Sequence, residues 1–158
     1  MERLARRKVD WGTAPTSGQV YAWDATDERW EPVSPATAGV TLASGTYTPT
    51  RSAEVNKDAN ATMTEAQYLR VGATVTVSGR FTFDPTLTAT ATSFEMTLPI
   101  ASNIGAVEDV AGVAFCGSIA GMGAEIIGVV ANDTAKVQWV STDVTSQTWS
   151  YTFTYQVI

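Results

Sequence analysis

Histidine is absent from this 158-residue chain, and Cys116 is its only cysteine. Those two facts remove the commonest nucleophilic and metal chemistries. A Ser-His-Asp or Cys-His relay needs an imidazole to take the proton. A His or Cys zinc site cannot form within one chain. One cysteine makes no internal disulfide, so stability must come from packing. Cys116 itself stands in the apolar run VAFCG, where a thiol behaves as a small buried hydrophobe rather than a nucleophile. Carboxylates are what remain. Glu108-Asp109 and the group Asp24, Asp27, Glu28 are the acids that could serve a glycosidase or hold calcium. They lie in polar stretches without calcium-loop spacing and read as solvated groups. Gly121–Gly123 is too short for a phosphate loop, and no lysine follows it. Asn60-Ala61-Thr62 and Asn132-Asp133-Thr134 match the glycosylation sequon, as chance provides in a Thr-rich chain. The sequence thus offers no catalytic, cofactor-binding or metal-binding set.

The side chains that stand out are aromatic, and their spacing is structural. In Thr148–Ile158, TWSYTFTYQVI, the residues Trp149, Tyr151, Phe153, Tyr155 and Val157 fall on every second position. A period of two sends alternate side chains to opposite faces of a strand. One face is therefore aromatic and the other is mostly Thr and Ser, which predicts a strand. Trp139 alternates with Ala135 and Val137 on the run before it. Trp139, Trp149, Tyr151, Phe153 and Tyr155 are the expected core, or the packing surface of a trimer. So large an apolar face needs a second sheet or a second subunit to cover it.

The totals agree with a β protein. Hydrophobic residues make up 44% and charged residues only 16%, and Thr suits a half-buried pleated surface. No run of about 18 apolar residues is present, so no helical membrane insertion is expected. The net charge of −6 is uneven. Arg3, Arg6, Arg7 and Lys8 face only Glu2 at the N-terminus, which makes a basic tip on an acidic body. No apolar stretch follows it, so the tip does not read as a secretion signal. It reads as an extended arm, or the start of a small amphipathic helix, that either docks on an acidic surface or is a solvated terminus. The acidic body argues against nucleic acid as a partner.

The chain divides in texture near residue 44. Residues 1–44 hold three of the six prolines and three of the five tryptophans, Trp11, Trp23 and Trp30. Within them VYAWDATDERWEP reads as a small hairpin turning at Asp24–Glu28, and Pro32, Pro35 and Gly39 punctuate a linker. Such a hairpin is marginal alone. We therefore expect Arg3, Arg6, Arg7, Lys8, Trp11, Trp23 and Trp30 to serve anchoring and assembly. From 45 to 158 the pattern is β throughout. Strands are expected near Gly45–Pro49, over Thr62–Val71 and Ala73–Phe83 about Gly72, and over Ser93–Leu98, Ala111–Ile119, Glu125–Ala131 and Ala135–Trp139. The polar segment Ala53–Ala61 reads as a loop. Gly79 in mid-strand predicts a bulge or a close backbone approach. About eight strands at 8–15-residue spacing, with no helix, predict an all-β antiparallel sandwich or jelly roll, preceded by an extended arm with a hairpin.

Several ordered landmarks carry a resemblance. These are YLRVGATVTVSGR at Tyr68–Arg80, LPIASN at Leu98–Asn103 and the closing aromatic strand, with SGQVYAWDATDERWEP at Ser17–Pro32 ahead of them. Together they resemble a C-terminal β-domain, and the connector before it, of bacteriophage tail and fibre proteins. The resemblance implies a trimeric jelly roll of the tumour-necrosis-factor type, displayed on the virion. It implies a homotrimer that meets other virion proteins through its N-terminal arm and host surface glycans at its exposed end. No catalytic residue carries over, because the family has no fixed catalytic set. With about 44 residues ahead of the β region, it implies a short tail or head fibre, assembled in the host cytoplasm. The alternatives are a capsid decoration (cement) protein and, from another class, a carbohydrate-active enzyme.

Overall fold

The computed structural model describes residues 8–9, 16, 18–33 and 41–158. The chain divides after Leu42 into two compact units. Among the described residues there is no α-helix, and the fold is all-β. Nor, among those residues, is any helix long and apolar enough to cross a membrane.

The first unit is a three-stranded sheet. Strand β1 (Lys8–Val9) runs parallel to β3 (Arg29–Val33), which pairs antiparallel with β2 (Val20–Asp24). The β2–β3 hairpin turns where the sequence places it. The Asp24 carboxylate accepts the N–H groups of Thr26 at 2.7 Å and Asp27 at 3.3 Å, which closes the turn locally. Glu28 then takes a left-handed conformation with φ of 49°. Trp23 and Trp30 are direct cross-strand partners, with ring centroids 5.9 Å apart in an edge-to-face pair. None of residues 18–33 is buried.

The second unit is one ten-stranded antiparallel sheet. Its strands are β4 (Leu42–Tyr47), β5 (Arg51–Val55), β6 (Lys57–Met63), β7 (Ala66–Val71), β8 (Thr74–Pro85), β9 (Thr90–Met96), β10 (Val110–Cys116), β11 (Gly123–Val129), β12 (Thr134–Ser141) and β13 (Gln147–Gln156). The order across the sheet is β4-β7-β8-β13-β10-β11-β12-β9-β5, and β6 pairs with the far half of β8. The aromatic strand β13 lies in the middle, with β8 and β10 on either side. Its burial alternates without a break, Gln147, Trp149, Tyr151, Phe153 and Tyr155 inward and the Thr and Ser positions outward.

The sheet curls, because its inner face must cover itself. Strands β8 and β9 are five steps apart in the order, which in a flat sheet would separate them by roughly 24 Å. Yet Phe81 of β8 lies 4.9 Å from Phe94 of β9 between ring centroids, and Phe83 lies 5.1 Å from Trp139 of β12. Trp149 stacks on Phe81 at 5.8 Å and meets Trp139 at 5.0 Å. The two halves of one sheet thus pack face to face, as in a sandwich or jelly roll. Asn56 sits between β5, at one end of the order, and β6, beside β8. It takes φ of 57°, and its side chain bonds Leu87 O, Leu87 N, Thr92 and Ser141. One left-handed residue therefore ties the β8–β9 connection to the sheet.

The structure corrects one element of the sequence reading and decides between the alternatives at another. The segment Ala53–Ala61 is not a loop but belongs to β5 and β6. It lacks an apolar alternation because its strands are held by ions, with Arg51 and Lys57 both paired to Glu54 and Arg51 also donating to Ala61 O at 2.5 Å. That segment accounts for the body having ten strands rather than about eight. Gly79 is a close approach rather than a bulge in the β8–β13 ladder, whose register runs through it unbroken. A Cβ there would stand 2.6 Å from the Tyr151 hydroxyl and 2.8 Å from Ala66. Cys116 is buried and unpaired, with Sγ 3.2 Å from the Ser118 hydroxyl.

Candidate functional site

Three of the acids that the sequence offers for chemistry, Asp24, Asp27 and Asp109, are engaged by neighbouring groups. Asp109 accepts the N–H groups of Gly105 and Ala106, both at 2.8 Å, across a short 3-10 turn (Val107–Asp109). Asp143 accepts Thr145 N–H at 2.6 Å, and that bond holds its carboxyl below the usual aspartate range. The Asp24 carboxyl is lowered for the same reason, first by Thr26 N–H and then by Asp27 N–H. Asp24, Asp27 and Glu31 approach one another, and Arg29 pairs with both Asp27 and Glu31 and offsets part of their charge.

The aromatics of the closing strand form no site either. Trp139, Trp149, Tyr151, Phe153 and Tyr155 are all within the core of one subunit. Their area is consumed by the curl of the sheet, so the surplus apolar face that the sequence suggested is not left over. Burial pushes the Tyr151 phenol up to about 12 and raises Tyr47 and Tyr155 as well. Of the anchoring residues, Trp23 and Trp30 form the pair in the hairpin. The backbone of Lys8 lies in β1, while Arg3, Arg6, Arg7 and Trp11 lie outside the described residues.

The structure instead gathers polar groups at one end of the body. There a hollow of about 490 Å³ is bounded by the 97–103 segment, the β11–β12 turn and Ile158, within the size range of small-ligand sites. Each wall is fixed from below. After β9, Pro99 stops the ladder, and the Tyr155 hydroxyl both donates to Ile100 O at 2.7 Å and accepts Ile100 N–H at 3.1 Å. Ser102 donates to Gln156 O at 2.6 Å and accepts Ile158 N–H at 3.0 Å. Asp133, in a left-handed turn with φ of 56°, accepts Ile104 N–H at 2.8 Å. Beneath the turn lies Glu95, buried on β9. One of its carboxylate oxygens accepts the Asn132 amide and the Thr134 hydroxyl, each at 2.9 Å. A buried carboxylate demands such donors. The Asn132 carbonyl and the Thr134 oxygen can still accept hydrogen bonds, and Asn103 is exposed.

The rim offers hydroxyl and amide groups beside the Asp133 carboxylate. The sequence marks LPIASN as a landmark and Asn132-Asp133 as a turn. It gives no sign that they meet, because they are some thirty residues apart and joined by tertiary contacts alone.

No family model and no curated protein matches this chain. Among solved structures it is similar to a reovirus attachment protein, sigma1, whose crystal structure is a complex with alpha-2,3-sialyllactose. The TM-score is 0.45 at 13% identity, covering 92% of this chain and 78% of that one. A likeness at that distance carries no argument about function.

Proposed function

We propose that this chain is a bacteriophage virion structural protein, a short trimeric surface fibre of tail or head, held by its N-terminal arm and presenting its β body to the host. The observation that carries this reading is the contrast in burial between the two units. The body has a complete aromatic core of its own, whereas residues 18–33 bury nothing. A small sheet with half-exposed tryptophans fits a segment that gains its packing from another protein. The sequence resemblance supports the same assignment. The hollow beside Ser102, Asn132 and Thr134 is the place we assign to host glycan, whose hydroxyls match the hydroxyl, amide and carboxylate groups of its rim. No enzymatic role is assigned, in keeping with acids that cap turns or are buried.

Removing residues 1–44 tests the anchor. The remaining body should keep its melting transition and should no longer join particles. Normal incorporation of the truncated chain would overturn the anchor. Imaging labelled virions decides the mounting. Density projecting from tail or head supports a fibre, and density lying flat between capsid subunits would make it a decoration protein instead. Hydrolysis of host polysaccharide by the purified chain would overturn the structural reading altogether.

A further inference from the structure

The hollow at the end of the body has most of its hydrogen-bond donors turned inward. A hydroxyl has one hydrogen to give and two lone pairs to receive with. Ser102 gives its hydrogen to Gln156 O at 2.6 Å, and Thr134 gives its own to the buried Glu95 carboxylate at 2.9 Å. Asn132 gives Glu95 one of its two amide hydrogens, also at 2.9 Å. Asp133 accepts Ile104 N–H through Oδ1, and a carboxylate has no hydrogen to give. What these four side chains keep is mostly accepting: the Ser102 and Thr134 oxygens, the Asn132 carbonyl and the Asp133 carboxylate. The donors that remain are neutral. They are the second Asn132 N–H, the exposed Asn103 amide and the Thr97 hydroxyl, whose oxygen already accepts Thr50 N–H at 3.0 Å.

Charge points the same way. Among the described residues that line the hollow there is no Lys or Arg, and Asp133 is an acid. Glu95, a second acid, is buried behind Asn132 and Thr134. Lys136 is the register partner of Glu95 across β9 and β12, but it lines a separate hollow with Ser93, Glu125 and Gln138.

Two classes of sugar would meet this rim differently. A carboxylate or sulfate group brings acceptors alone and is held best by charged donors such as Arg and Lys. Here it would approach the like charge of Asp133, which is unfavourable. A sugar hydroxyl brings both a hydrogen and lone pairs. It can donate to the accepting groups of the rim and accept from Asn103. Leu98, Ala101 and the exposed Ile158 complete the lining, as apolar surface against the C–H face of a ring. We infer that this hollow selects a hydroxyl-rich sugar without acid groups, and that the Asp133 carboxylate turns acidic sugars away. The inference rests on the host-glycan reading of the hollow given above and names the class of sugar.

The test follows the amide resonances of the full chain by NMR as trisaccharides of glucose, galactose and mannose are added. Each is compared with the uronic-acid trisaccharide of the same ring. At least one neutral trisaccharide should shift the Ser102, Asn132 and Thr134 amides at millimolar concentration, and its uronate should bind about tenfold more weakly. Asp133→Asn keeps a carbonyl for Ile104 N–H and should narrow that gap about threefold. A melting curve verifies that the variant is folded, and if it is not, the wild-type comparison decides by itself. A uronate that shifts the same amides at equal or lower concentration overturns the sugar class and leaves the hollow a glycan site. A gap that persists unchanged in folded Asp133→Asn overturns the part given to Asp133. If no trisaccharide shifts those amides, the glycan assignment falls together with this inference, while the fibre reading still rests on the imaging of virions.

Discussion

The hairpin at 18–33 and the body at 43–158 are built of the same strand-and-turn material, yet only the body has an interior. In the hairpin Trp23 and Trp30 meet edge to face and stay partly in solvent. In the body Trp139 and Trp149 meet at a similar distance, and Phe81, Phe83 and Phe94 surround them. The rings are alike, and what differs is the number of strands that can curl over them. Three short strands cannot enclose a tryptophan, and ten can. Local pairing therefore shapes the hairpin, while long-range burial stabilises the body.

The largest effect should come from a cavity in the body set against a truncation in the hairpin. Phe153→Ala removes a buried ring from the centre of β13 and should cost about 3–5 kcal/mol. Trp30→Ala should move the body's transition by less than about 0.5 kcal/mol. Denaturant unfolding of both variants of the full chain measures the pair. An equal loss from Trp30→Ala would mean that the two regions share a core and would break the comparison.

Overpacking the body should come next. A Cβ on Gly112 would stand 2.3 Å from the Phe153 Cβ and 2.4 Å from Thr152 O. The second atom is backbone, so a neighbouring strand must shift. Gly112→Ala should cost about 1–3 kcal/mol in the same assay. A wild-type midpoint would show that the β10–β13 spacing is looser than described.

Alkali should destabilise the body. Burial raises the phenols of Tyr47, Tyr151 and Tyr155, Tyr151 to about 12. A raised acid pKa means that the native state holds a proton the unfolded state has released. That stability is fully present below the ordinary tyrosine value of 10 and is lost as pH rises toward 12. Melting temperature should fall across that window, with the phenolate absorbance of the buried tyrosines appearing on unfolding. Full ionisation of all tyrosines in the folded chain would contradict their burial.

The smallest effect belongs to the hairpin. The Asp24 carboxyl is held below its ordinary value by two N–H groups of the turn. A depressed carboxylate stabilises above its unfolded pKa, and that contribution is lost as pH falls through the folded one. Titration followed by NMR should therefore place the Asp24 midpoint below 3.8. The Thr26 amide should lose its hydrogen-bond shift over the same range. A normal midpoint would remove the local bond that defines the turn.

By itself the sequence determined what is periodic or local. The alternation through Trp149–Tyr155 specifies a strand and its inner face, since a side chain's facing depends only on its position along the strand. The turns at Asp24 and Gly72 were legible for a similar reason, being matters of a few neighbouring residues. The absence of His and the single Cys excluded whole chemistries without any coordinates. The ion-held strands β5 and β6 were not legible, because their polar residues carry no alternating apolar signal. Nor was the role of Asn56, which lies in its reach to Leu87, Thr92 and Ser141. Tertiary structure alone decided that the aromatic face is covered within one subunit and that Ser102, Asn132 and Thr134 share a rim. Each of those facts depends on which strands become neighbours. Strand order is set by the free energy of closing the whole curled sheet over its core, and no single stretch of sequence contains that quantity.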